Sequence, residues 1–144
     1  MKKIMMFVLC AIAYTMLLNT SIAYCNNIHS LDISNNTVIY FNKSNKVITI
    51  DNNSYIINSP KQMYLDIVKV FKSKDKGITI SSDCTFNKKD KFFYKYDVFK
   101  SDNADSQIEV VLYKFIDEDD GVEASIILNY SNISKFLKEL EYMY

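Results

Sequence analysis

The chain has 144 residues, with 17 basic and 17 acidic side chains and a formal net charge of zero. That balance argues against a general nucleic-acid binder, which needs surplus positive charge to displace counterions. Every basic residue is a lysine, so the bidentate guanidinium fork that grips phosphate or carboxylate is missing.

Met1-Lys2-Lys3 is a short positive start, and Ile4 to Leu18 is an almost unbroken apolar run. Asn19 to Ala23 follows, with small residues at Ser21 and Ala23. This is the pattern of a cleaved secretory signal over residues 1–23, of bacterial type. The apolar run falls short of the roughly 20 residues needed to span a bilayer. Residues 24–144 are then expected as one exported domain, secreted or periplasmic, without a stable membrane anchor.

Cys10 leaves with the signal. Cys25 and Cys84 remain, and an oxidising compartment favours a disulfide between them. A lipid-modified Cys25 fits less well, because Tyr24 precedes it where a small residue is wanted. Asn26 to Asn36 reads as a loosely structured leader.

Thr37 to Phe41 and Lys46 to Ile50 are β-rich runs joined by the turn Asn42-Lys43-Ser44-Asn45. Asp51-Asn52-Asn53 makes a second turn before a short strand, Ser54 to Ile57. The period then changes. Ser59 is a good N-cap and Pro60 suits the first helical position, where its missing N–H costs nothing. Met63, Ile67, Val70 and Phe71 recur at helical spacing, while Lys61, Asp66, Lys69 and Lys72 read as lying on other faces. Gly77 is read as the helix stop.

Ile78 to Cys84 is a further strand, and Asn87 to Asp90 a turn. Phe92 to Phe99 alternates, with rings on both faces. Gln107 to Ile116 is apolar on both faces, as expected of a central strand covered at least partly on both sides. Asp120-Gly121 is a hairpin signal. Glu123 to Tyr130 returns as a strand, and Ser131 can cap a final helix through Ile133, Phe136, Leu137, Leu140 and Met143. The fold class is α+β: an antiparallel meander of about six to seven strands, one helix packed on the sheet, and a C-terminal helix over an edge or one end.

No catalytic residue set, metal site or cofactor motif stands out. Asp117-Glu118-Asp119-Asp120-Gly121 lacks the alternating oxygen ligands of an EF-hand, because Ile116 occupies one of those positions. It reads as a solvated hairpin tip or a weak calcium site. His29 is the sole histidine. With Cys25 and Cys84 it could begin a zinc site, but disulfide formation competes, and a plain exposed histidine is the simpler reading. Glu109 and Glu123 are candidates for a hydrolytic carboxylate pair, or for cross-strand partners of Lys95 and Lys114.

The aromatic content is the positive signal. Phe93, Tyr94, Tyr96, Phe99 and Tyr113 form a candidate interaction surface, since tyrosine brings large area and a hydroxyl at low entropic cost. The expected function is protein binding, as an inhibitor or immunity-type module with another protein as partner. The alternatives are a small secreted hydrolase using a carboxylate pair, or an apolar-ligand carrier with its cavity at Met63, Ile67 and Phe71. If Cys25 and Cys84 pair, Cys84→Ser lowers the melting temperature under oxidising conditions only. Equal stability in oxidant and reductant would remove the disulfide.

Overall fold

The computed structural model describes residues 27–34, 37–100, 107–117 and 120–144. The expected signal and Cys25 lie outside the described residues. The first four strands are β1 (Ile28–Ser34), β2 (Thr37–Asn42), β3 (Val47–Ile50) and β4 (Asn53–Ile56), and they form one antiparallel sheet in chain order. Helix α1 (Pro60–Lys72) follows. A second antiparallel sheet contains β5 (Thr79–Ser81), β6 (Thr85–Asn87), β7 (Phe92–Lys100), β8 (Ile108–Phe115) and β9 (Gly121–Leu128). Helix α2 (Ile133–Tyr142) ends the chain. No helix of the described residues is long and apolar enough to cross a membrane.

The α+β class therefore holds, but the single meander of six to seven strands is corrected to two sheets of four and five strands. The chain leaves the first sheet at Ile57 and re-enters the second through α1, so β4 and β5 never pair. The expected loose leader is also corrected. Residues 28–34 form β1, in which His29 and Leu31 lie opposite Phe41 and Ile39. The alternation of Leu31 and Ile33 with Ser30 and Asp32 is a strand pattern, and only the flanking asparagines suggested a coil.

Period-two patterning gives the first sheet one apolar face. Ile39, Phe41, Ile48, Ile50 and Tyr55 on that face are almost wholly buried. Helix α2 packs against it: the Phe41 and Phe136 rings meet edge to face, with centroids 5.4 Å apart. Truncating a fully buried ring of this kind costs about 3–5 kcal/mol. Helix α1 buries Met63, Ile67 and Val70 and packs on α2, β7 and β8. Val98, Val110, Leu112, Ile126 and Leu128 of the second sheet complete a single hydrophobic cluster with these residues. The expected cover of β8 is full on one side and partial on the other: Val110 and Leu112 are fully buried on its inner face, and on the outer face Val111 is buried while Tyr113 and Phe115 are half-buried.

Local chemistry sets the ends of α1. The Ser59 hydroxyl accepts a hydrogen bond from the Gln62 N–H at 3.2 Å, and Pro60 takes the first turn, as expected. The helix stops at Lys72, with Ser73 extended beyond it, so Gly77 is not the cap. The Lys100 ammonium instead donates to the Ser73 carbonyl, placing a cation at the helix C-terminus. At α2 the capping residue is Asn132 rather than Ser131, and its side chain makes no helix-capping hydrogen bond. It accepts from the Asn129 N–H at 2.7 Å, while the Asn129 side-chain amide oxygen (Oδ1) gathers the N–H groups of Ser131 and Asn132.

Ile50 and Asn53 pair directly, leaving Asp51 and Asn52 as a two-residue hairpin loop with φ of 49° and 65°. Two successive left-handed residues define the tight turn whose twist matches antiparallel strands, and Asp and Asn tolerate it. Asn52→Val is expected to lower unfolding stability by about 1–2 kcal/mol in urea titration, whereas Asn52→Gly leaves it unchanged or slightly raised.

Candidate recognition face and polar cleft

The pleat divides the expected aromatic surface in two. Tyr94 and Tyr96 point inward from β7 and are 3% and 6% exposed. Phe93, Lys95, Asp97 and Phe99 alternate with them on the outer face. Tyr94 and Tyr96 are therefore removed from the exposed surface, while Phe93, Phe99 and Tyr113 remain on it, half-buried. Two rings that belong with Phe93 were not among the sequence candidates. Cross-strand register places Phe86 and Phe115 on either side of it. The centroids are 4.9 Å apart for Phe86 and Phe93, and 5.7 Å for Phe93 and Phe115. Phe86 is 46% exposed at one end of this ladder. The signal for Phe115 lay in the outward face of the β8 run; the signal for Phe86 was hidden because it falls between the strand read over Ile78 to Cys84 and the turn read over Asn87 to Asp90.

The next row is polar. Tyr113 pairs with Lys95 on one side and Glu123 on the other. The Lys95 ammonium lies 4.5 Å from the Tyr113 ring centroid and 3.7 Å from an Asp97 carboxylate oxygen. Burial, the Asp97 charge and a hydrogen bond to Asp97 push the Tyr113 phenol up to about 12. A groove of about 460 Å³ opens beside Tyr113 and Phe115, bounded by Gly121 and Glu123. Gly121 is needed for close approach rather than for turn geometry, since its φ is not positive and a Cβ there would stand 2.9 Å from the Phe115 Cβ.

The candidate carboxylates stand on neighbouring strands of the outer face. Glu123 faces Tyr113, and Glu109 faces Ile127, four residues further along β9. The Ser125 hydroxyl, two residues from Glu123, donates to Glu109, and both carboxylate charges act on the Tyr113 phenol.

A separate polar cleft of about 390 Å³ lies between the start of α1 and the edge of the second sheet. The edge is broken here: β5 and β6 both pair with β7, and Ser82, Asp83 and Cys84 bulge between them. The Ser82 hydroxyl accepts from the Tyr96 N–H, and the Ser82 N–H donates to the Tyr96 carbonyl, both at 2.8 Å. A side chain thus replaces the missing ladder acceptor. Asp66 lines the cleft and is only 7% exposed. Its carboxylate accepts from the Tyr96 hydroxyl at 2.8 Å and from the Gln62 side-chain amide at 2.9 Å. The Tyr94 hydroxyl donates to Asp90 at 2.5 Å. Burial, with the neighbouring carboxylates Asp66 for Tyr96 and Asp90 for Tyr94, pushes both phenols well above their ordinary range.

Reading Asp66 as lying on another helix face is therefore corrected. It is three residues after Met63 and four before Val70, on the edge of the buried stripe. The wheel carried that signal; the partner that makes burial tolerable, Tyr96, is 30 residues away.

His29 is not a plain exposed residue. Its Nδ1 hydrogen-bonds Glu139 at 2.8 Å, and its ring stacks on Tyr142 with centroids 3.7 Å apart, tying β1 to α2. Cys84 is exposed with a free thiol, and Cys25 lies outside the described residues. In the Asp117–Asp120 turn the Asp117 side chain accepts from the Asp120 N–H at 3.0 Å; residues 118 and 119 lie outside the described residues. No group of three or more His, Cys, Asp or Glu side chains is placed to hold a metal ion among the described residues. Of the proposed carrier cavity, Met63 and Ile67 are fully buried in the core, and neither they nor Phe71 line the two cavities above.

The raised phenols set an alkaline dependence. Unfolded tyrosines release their protons near 10.0, while folded Tyr113 keeps its proton to about 12 and Tyr94 and Tyr96 are raised as well. The folded state then binds more protons than the unfolded state, so stability falls as pH rises. Melting temperature is expected to hold below pH 10 and to fall from there through about 12, and Tyr113→Phe should flatten part of that fall. Matching the chain against family models, curated protein sequences and solved structures finds nothing similar.

Proposed function

We propose that this chain is a small exported module of bacterial type that binds another protein, in the manner of an inhibitor or immunity-type protein. The contact surface is the outer face of the five-stranded sheet. The observation that carries this reading is the Phe86–Phe93–Phe115 ladder, an apolar strip next to the polar row of Lys95, Tyr113 and Glu123 and beside a groove large enough to take a side chain. Rigid rings of this kind are the typical energetic centre of a protein contact. Charges of both signs flank the strip: Lys95, Asp97, Glu123 and Asp117 along the strands, and exposed Lys88, Lys89 and Lys91 in the hairpin between β6 and β7. The matching surface is an apolar plug inside a rim of mixed charge, since complementary charge steers association and fixes register.

The test compares wild-type protein with Phe86→Ala and Phe115→Ala as bait in extracellular and periplasmic extracts. The expected result is one stoichiometric protein captured by wild type. Capture falls at least about tenfold for the variants, as for truncated contact centres, with their melting curves retained. Weaker capture at higher salt is expected from the charged rim. Equal capture by the variants, or no stoichiometric protein, would overturn the reading.

A further inference from the structure

The Asp66 cleft is distinct from the outer face and plays no part in the reading above. It combines a buried carboxylate with an open polar cavity. Burying an ionised carboxylate is costly unless hydrogen bonds and an opposite charge compensate it. Asp66 has two neutral donors, Tyr96 and Gln62, one on each oxygen. A carboxylate offers about four acceptor positions, so roughly two stay open. No lysine forms an ion pair with Asp66 among the described residues. The one lysine that lines the cleft, Lys95, has its ammonium beside Asp97 and over the Tyr113 ring on the outer face.

The rest of the lining has the same polarity. Exposed Asp83 stands at the mouth, close enough for its charge to act on the Tyr96 phenol. The Tyr94 and Tyr96 hydroxyls give their protons to Asp90 and Asp66, which leaves their oxygens as acceptors. Their rings add π-faces that attract cations. Ser59 and Ser82 already accept backbone N–H groups and are thereby held in place. An anion would meet two carboxylates here; a cation would meet acceptors on several sides. The volume, about 390 Å³, falls within the range of small-ligand sites.

We infer that this cleft is a binding site for a cationic nitrogen head, an alkylammonium or guanidinium group, seated on Asp66 between Tyr94 and Tyr96 with Asp83 at the entrance. The head can belong to a free amine or to a lysine or arginine side chain, since the chemistry that recognises it is the same. The hydrogen bonds from Tyr96 and Gln62 fix the carboxylate before the ligand arrives, so little ordering is needed on binding.

The experiment is an amide-resolved NMR titration of the ¹⁵N-labelled protein with three probes. Butylammonium represents a free amine, N-acetyl-arginine amide represents a protein side chain, and N-acetyl-citrulline amide is the neutral mimic of the latter. Saturable shifts at Gln62, Asp66, Ser82 and Tyr96 are expected with at least one cation, with Kd on the order of 1 mM. Citrulline amide should bind at least about tenfold more weakly than the arginine probe, or not at all. Preference between the two cations identifies the source of the head. Asp66→Asn should abolish the shifts, and exposed Asp83→Asn, which leaves the fold undisturbed, should weaken binding a few-fold. The inference is overturned by the absence of saturable shifts with either cation, by equal binding of citrulline amide, or by unchanged affinity in Asp83→Asn together with retained or unreadable binding in Asp66→Asn.

Discussion

Each sheet of this protein has one apolar face, and neither face can be left to water. Ile39, Phe41, Ile48 and Ile50 on the first sheet, and Val98, Val110, Leu112 and Ile126 on the second, are buried in one shared cluster with the inner stripes of both helices. That joint burial is the constraint from which the rest follows. Removing apolar area from water contributes roughly 25 cal/mol per Å², and only the shared core removes enough of it to offset the chain entropy lost on folding. It also explains why β1, half-polar and flanked by asparagines, is a strand at all. Leu31 fills the end of the core, while His29 closes the seam to α2 through Glu139 and Tyr142.

Within that core the Tyr96–Asp66 hydrogen bond is an exception in kind. A carboxylate on the buried side of α1 is compatible with the packing because a phenol from the neighbouring sheet reaches it. The same contact ties the first half of the chain to the second and leaves a polar cleft where the edge strand is interrupted between Ser81 and Thr85. The outer face of the second sheet has the opposite character. Its rings pack on one another across strands rather than into the interior, so their area is only partly covered. One side of β7 thus faces the core and the polar cleft, and the other carries half-covered rings.

Much of this organisation was legible in the order of residues. The hairpin at Asp51-Asn52, the capped start of α1 at Ser59-Pro60, the alternation along β7 and the buried stripe of α2 are local patterns. They need only a neighbour one turn or one pleat away. Features set by distant partners were not legible. Gly121 reads as a turn glycine, yet it is required by Phe115 across the hairpin. Gly77 reads as a helix stop, yet Ser73 and Lys100 end the helix. The candidate aromatic surface was given rings from both faces of β7, of which Tyr94 and Tyr96 turn inward.

By itself the sequence determined the α+β class, the two helices and most strand positions, because side-chain periodicity and turn chemistry act over a few residues. Only the tertiary structure decided that the strands divide into two sheets. It alone showed which aromatics face outward together, and that Asp66 is buried beneath Tyr96. Those outcomes depend on cross-strand register and on contacts between residues far apart in the chain, where no local pattern reaches.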